Sequence, residues 1–201
     1  MTRKENASMP EVVMESPLAG IARLGQRVLV VDGKSCALSE VPFVEMLNLR
    51  GDANDALFTQ TILSVAGLAL PTLPNTASIA GQRQLLWLGP NEWLLKLQDS
   101  QGDSMESALR AALQGRHISV VQVGDGNTTL TVRGPAAADL LSRGCPLDLH
   151  PRVFPAGALA QTHIAKAGAT VLCLEAAISF ELTVRRSFAD YLFRWLCEAG
   201  A

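Results

Sequence analysis

Charge is scarce in this 201-residue chain. Asp, Glu, Lys and Arg make up 18% of it, against about 25% in an ordinary soluble domain. The mean hydropathy is +0.21. The two signs nearly balance, 17 Lys+Arg against 19 Asp+Glu, and Arg185-Arg186 is the densest basic cluster. A chain without a basic face is not built to hold phosphates, which excludes nucleic acid as a partner. Long apolar runs are missing too. None approaches the ~18 residues of a membrane-spanning helix, so no membrane is expected as a partner. The opening Met1-Thr2-Arg3-Lys4-Glu5-Asn6 leads into no apolar core, so no secretory signal is expected.

Metal spacing is also lacking. Cys36, Cys145, Cys173 and Cys197 form no CxxC pair, and His117, His150 and His163 share no ligand-like spacing with them or with one another. Cys173 and Cys197 sit among apolar residues and read as small hydrophobes. A reduced, cytoplasmic protein is expected. There is no G-x-S-x-G elbow, no P-loop and no HExxH. Gly124 and Gly126 lack the following helix and acidic residue of a dinucleotide fingerprint. No catalytic, cofactor-binding or metal-ligating residue is assigned.

What is present reads as an α+β domain. Residues 1–15 are polar and without periodicity, an expected flexible arm. Residues 16–201 form the domain, either single or divided near 116/117. Residues 27–31 predict a strand, closed by the turn Asp32-Gly33. Residues 41–49 predict another. Asp52 or Asn54 then caps a helix over 54–66, with Phe58, Ile62 and Val65 on one stripe and Gly67 as its stop. Residues 85–88 and 93–97 flank Gly89-Pro90-Asn91-Glu92 as a hairpin. Asp103 or Ser104 caps a helix with Met105, Leu109 and Leu113 inward and Ala108 and Ala112 beside them. Residues 118–123 and 128–132 predict a second hairpin. Gly134-Pro135 opens a helix that buries Leu140 and Leu141 and stops at Gly144. Three strands follow at 157–165, 170–174 and 178–184, with turns at 167–169 and 175–177. Ser187 caps the last helix, whose stripe is Phe188, Tyr191, Leu192, Trp195, Leu196 and Ala199. Strands in hairpins with interspersed helices imply sheets covered on one face by helices.

The missing charge is concentrated. Residues 56–82 hold no Asp, Glu, Lys or Arg, and residues 153–180 hold only Lys166 and Glu175. About seven would be usual in a stretch of that length at ~25%. Buried helix and strands account for much of this. They account less well for the proline-rich loop 68–80, since loops lie on the surface. A partner's surface covering that loop is the second reading, and both stay open. Candidate contact residues are Leu70, Pro71, Pro74 and Asn75, with Arg50, His150 and Arg152. The two arginines are of the kind that clamps a carboxylate or forms ion pairs. His150, beside Pro151, suits either a base or a hydrogen bond fixing its loop. Trp87 and Trp93 suit either stacking on a planar ligand or packing.

Several segments together carry a resemblance. They are Ser16-Pro17-Leu18, residues 43–52 (FVEMLNLRGD), 70–76 (LPTLPNT), 86–94 (LWLGPNEWL), 147–155 (LDLHPRVFP), 160–162 (AQT) and 186–192 (RSFADYL) with Trp195-Leu196. In that order and spacing the chain resembles the gamma subunits of heterotetrameric sarcosine oxidases. The resemblance implies alpha, beta and delta subunits as partners, in a complex that oxidises sarcosine to glycine. That complex passes the one-carbon unit to tetrahydrofolate and makes hydrogen peroxide. It implies that FAD, FMN, NAD and zinc belong to the other chains, with none bound here. Residues 128–145 (TTLTVRGPAAADLLSRGC) are similar to the glycine-cleavage T-protein and its folate-binding relatives, whose N-terminal domain the fold is expected to share. In those enzymes a catalytic aspartate follows a Gly-Gly turn. Here Ala167-Gly168-Ala169 is followed by Thr170-Val171-Leu172-Cys173, so the resemblance implies the fold without that activity. Two alternatives remain: a stand-alone folate-dependent aminomethyltransferase-like protein, and a folate-binding accessory module. The latter relies on a reactive-cysteine motif that is not visible around Cys145, Cys173 or Cys197.

Overall fold

The computed structural model describes residues 14–22 and 26–201. The expected flexible arm falls outside the described residues except for its last two positions. The fold is α+β, with two wholly antiparallel sheets placed face to face and helices outside each.

The first sheet takes strands from both ends of the chain. It is ordered β1 (Arg27–Val31), β2 (Lys34–Val41), β8 (Asn127–Arg133), β11 (Ser179–Arg185), β10 (Ala167–Glu175) and β9 (Leu159–Ile164). The second is ordered β4 (Ala77–Ala80), β5 (Arg83–Gly89), β6 (Glu92–Leu97), β3 (Glu45–Arg50) and β7 (Ser119–Gln122). Helix α1 (Ala19–Ala22) precedes the first strand. Helices α2 (Ala56–Ala66) and α3 (Gly102–Ala112) cover the outer face of the second sheet. Helices α4 (Ala137–Ser142) and α5 (Ala189–Ala199) cover that of the first.

Period-two alternation decides which side chain enters which layer. In β11, Phe180, Leu182 and Val184 enter the core under α4 and α5, and Glu181 and Thr183 face the other sheet. All residues from Ser179 to Val184 are buried, as befits a central strand covered on both sides. In β6, Trp93, Leu95 and Leu97 enter the core under α2 and α3, and Leu94 and Lys96 face inward between the sheets. Each such Leu or Phe contributes about 1.5–3 kcal/mol of burial.

Several expectations hold closely. Strand β1, its Asp32-Gly33 turn, the β5–β6 hairpin and the αL stop at Gly67 all lie where expected. Others change. The strand read over 41–49 is the end of β2 and all of β3 but Arg50, separated by a turn at Phe43 with φ 57°. The cap of α2 is Asp55, whose carboxylate accepts from Leu57 N at 3.0 Å. Helix α3 has no side-chain cap of its own; Glu45 accepts from Gly102 N instead, at 2.8 Å. Ala108 and Ala112 are exposed rather than beside the buried Leu109. The turn expected at 167–169 is at Ala165-Lys166, and Ala167 already belongs to β10. Ser187 lies in a 3₁₀ turn and caps nothing, and Phe188 and Tyr191 stay exposed.

The largest change is the second hairpin. β7 pairs with β3, whereas β8 pairs with β2 and β11. The short turn Gly124–Gly126 carries the chain from one sheet to the other. Gly124 allows this because a Cβ there would lie 3.2 Å from Val44 O.

Gly134 is more constrained still. Its φ is 134°, and a Cβ would come within 2.7 Å of Ser35 O and 2.8 Å of Cys36 Cα, both backbone atoms of β2. Gly134→Ala is expected to cost more than ~1 kcal/mol. For a chain of this size that is a fall of about 2–4 °C or more in Tm, measurable by circular dichroism.

Candidate functional site

One buried ion pair joins the two sheets. Lys96 Nζ lies 2.6 Å from Glu181 Oε2, with side chains 1% and 5% exposed. Gln84 Nε2 donates to Glu181 Oε1 at 3.0 Å. Burial pushes the Lys96 ammonium below its ordinary pKa, against the attraction and hydrogen bond of Glu181. Gln84 Oε1 and Thr129 Oγ1 are buried without partners among the described residues. Around this group Met46, Leu86, Leu94, Leu159 and Leu172 pack as a small inter-sheet core.

Away from that core the sheets part, and an open cleft of about 530 Å³ lies between them. Asn48, Leu88 and Leu94 line it from the second sheet. Gln161, His163, Thr170, Thr183 and Arg185 line it from the first. Among the described residues its lining carries Arg185 and His163 and no Asp or Glu. Several polar groups are already held. Gln161 Nε2 donates to Leu88 O at 2.8 Å, Asn127 Nδ2 to Val123 O at 2.8 Å, and Asn48 Nδ2 to Glu92 Oε1 at 2.7 Å. The wall is therefore fixed before anything enters.

The expected contact residues do not form one cluster. Arg50 pairs within the chain, with Glu92 Oε2 at 2.9 Å. Leu70 is half-buried against the core under α2, and Pro71 is buried. Pro74 and Asn75 are exposed at the tip of their loop. Asn75 has φ 60°, and its carbonyl accepts from Leu159 N at 3.0 Å. His150 fixes its loop: its Nδ1 accepts from Arg152 N at 3.2 Å, and its carbonyl accepts from Val153 N and Phe154 N. Arg152 is exposed and forms no ion pair among the described residues. The isolated bridge between Thr76 and Ala158 ties the 68–76 loop to the start of β9.

Trp93 packs rather than stacks on a ligand. It is fully buried, 5.6 Å from Phe58 centroid to centroid, and its Nε1 donates to Pro71 O at 2.8 Å. Trp87 packs partly against the same core. All four cysteines are free. Burial raises the thiols of Cys36, Cys173 and Cys197, which leaves little reactive thiolate. No group of three metal-binding side chains occurs among the described residues, and no described helix is long and apolar enough to cross a membrane. β10 carries no carboxylate before Glu175.

Sequence reading did not single out Lys96 or Glu181, and met Arg185 only as half of the Arg185-Arg186 pair. The available signal was a single charge inside each of the otherwise uncharged stretches 93–97 (WLLKL) and 179–184 (SFELTV).

Comparison with known proteins agrees with this architecture. The sequence profile of the sarcosine oxidase, gamma subunit family matches residues 50–201. A sarcosine oxidase subunit gamma from Corynebacterium sp. (strain U-96) is 29% identical over 188 residues, 92% of this chain and 88% of that one. Another, from Arthrobacter sp, is 30% identical over 166 residues, 81% of this chain and 78% of that one. Among solved structures, a chain of the heterotetrameric sarcosine oxidase from Corynebacterium sp. U-96, in complex with pyrrole 2-carboxylate, matches with a TM-score of 0.84. It is 27% identical, covering 92% of this chain and 94% of that one. The glycine cleavage system aminomethyltransferase T from Bartonella henselae has a TM-score of 0.62 at 12% identity, over 90% of this chain and 56% of that one. That likeness defines the class, a T-protein-like α+β fold. Within that class, the chain belongs to the sarcosine oxidase gamma subunit family.

Proposed function

We propose that this chain is a structural subunit of a heterotetrameric sarcosine oxidase, assembled with alpha, beta and delta chains in the cytoplasm. The complex demethylates sarcosine to glycine, transfers the one-carbon unit to tetrahydrofolate and releases hydrogen peroxide. FAD, FMN, NAD and zinc are held by the other chains. The carrying observation is the end-to-end match to a chain of such a complex, TM-score 0.84 over 92% of this chain.

The surface supports the reading. Leu73, Val153 and Ile79 are 69%, 62% and 44% exposed. They lie on or beside the two segments joined by the Thr76–Ala158 bridge. Exposed apolar side chains gathered in this way mark interaction surfaces. The charge-poor segment 68–80 was expected to be a loop throughout, but its last four residues form edge strand β4. The loop 68–76 is the natural centre of the contact, with Pro74, Asn75 and Arg152 at its exposed edge and Leu70 and Pro71 as its buried anchor. Four free cysteines support a reducing compartment.

Co-expression with the other three subunits tests this. The chain is expected to co-purify with them, and its omission to abolish most of the assembled oxidase. A fully active complex of the other three chains, with this one left monomeric, overturns the reading.

A further inference from the structure

The outer edge of β9 and the cleft beside it share a feature that the structural role does not explain. β9 ends the first sheet, and only its beginning is covered on the outside. There Leu159 N–H points away from β10 and donates to Asn75 O at 3.0 Å. Backbone groups alternate in direction along a strand. Gln161 and His163 therefore present their N–H and C=O on that same outer edge. They have no backbone partner there among the described residues. The covering segment turns away at Asn75, with φ 60°.

The side chains of the same two residues line the cleft, together with Arg185. β9 and β11 are two strand spacings apart, roughly 10 Å. A chain running along β9 would thus lie beside a cavity that, among the described residues, has two basic side chains and no acidic one. Bare strand edges template the addition of another strand. The lining adds a charge preference.

We infer that the outer edge of β9 and the adjoining cleft receive an extended segment of a partner subunit, one that carries a carboxylate toward Arg185 and His163. The inference rests on the proposed membership of a heterotetramer. The molecule already shows the mode of pairing: residues 75–77 add to residues 157–159 through the Thr76–Ala158 bridge and through Ala77 N–H to Gly157 O at 3.0 Å. The partner segment continues that ladder where Asn75 leaves it. It also adjoins the exposed loop around Leu73, so the two contacts form one continuous surface.

The test uses the whole complex. A photo-crosslinking residue at position 163 is introduced into this chain, co-expressed with the alpha, beta and delta subunits. The expected product is a crosslink to one of them, at an extended segment containing Asp, Glu or a terminal carboxylate. Arg185→Glu is expected to weaken assembly at least tenfold, and Arg185→Lys to stay within about threefold of the parent. Arg185 ends an exposed strand terminus, and unchanged thermal unfolding of each isolated variant confirms that folding is not the cause. Equal assembly of parent and Arg185→Glu, or a crosslink confined to this chain, overturns the inference while leaving the subunit reading intact. Failure of the parent chain itself to assemble overturns the subunit reading. Glutarate serves as a small-carboxylate probe. If it stabilises the isolated chain through Arg185 and no partner crosslink forms, the cleft is a small-molecule site and the inference is wrong.

Discussion

Lys96→Met is expected to remove about 3–5 kcal/mol of stability, the usual cost of leaving one member of a buried pair alone. Glu181 is 4% exposed. Without Lys96 its carboxylate keeps a single side-chain donor, Gln84 Nε2. A whole domain has about 5–15 kcal/mol of stability, so the loss is a large share. Urea unfolding measures it as a lower midpoint at constant slope. A loss under about 1 kcal/mol would mean that the pair is hydrated and the inter-sheet contact is looser than the 2.6 Å separation indicates.

Reversal is the sharper half of the experiment. Replacing a buried pair by apolar groups of similar size is often neutral or stabilising. Lys96→Met with Glu181→Leu would still orphan Gln84, whose amide then lacks its acceptor at a cost of about 1–3 kcal/mol. The triple variant with Gln84→Leu is expected to regain most of the loss, and the double variant only part. Proton linkage gives a second readout. Burial lowers the folded-state pKa of Lys96, so between that value and the unfolded one the unfolded chain binds more protons. Stability on this account rises with pH across that window, which lies below the ordinary lysine pKa. Glu181→Gln removes the opposing attraction and is expected to extend the rise to lower pH, whereas Lys96→Met abolishes it.

How much of this was legible depends on the range of the interaction. The β5–β6 hairpin was readable because Gly89-Pro90-Asn91-Glu92 interrupts two apolar runs, and its pairing is local. β2 was missed because KSCALSEV has a single β-branched residue, Val41; it is held as a strand between β1, across the local Asp32-Gly33 turn, and β8, almost a hundred residues on. Residues 118–132 were legible as two strands but not as members of different sheets. Nothing within a Gly-Asp-Gly turn says whether the next strand folds back or crosses over. The cleft was less legible still. Its lining reaches from Asn48 to Arg185 across both sheets, and no single segment carries its pattern. The segment 68–80 is the reverse case: its lack of charge was visible at once, and the structure adds which of its residues point outward.

Trp93 supplies the second large expected effect and links the core to that loop. Its ring fills the space between β6 and α2 with no exposure, beside Phe58. Trp93→Ala is expected to cost about 3–5 kcal/mol through lost burial and the cavity left behind. Trp93→Phe separates two roles. It keeps an aromatic ring near Phe58 and removes the indole N–H that Pro71 O accepts at 2.8 Å. The net loss is expected to be about 1–3 kcal/mol, because the buried carbonyl is left without its donor. That hydrogen bond fastens the first half of the 68–76 loop, whose far end is held separately by Trp87 N to Thr76 O and Leu159 N to Asn75 O. Residues 72–75 beyond it are exposed and carry Leu73 and Pro74 outward. Limited proteolysis of the isolated chain is expected to cut this loop faster in Trp93→Phe than in the parent. If the loop is a partner contact, ordering it again on assembly costs conformational entropy. Trp93→Phe should then weaken subunit association, as well as lowering the urea midpoint. A variant that unfolds earlier yet associates with unchanged affinity would remove the loop from the interface and leave Trp93 with a packing role alone.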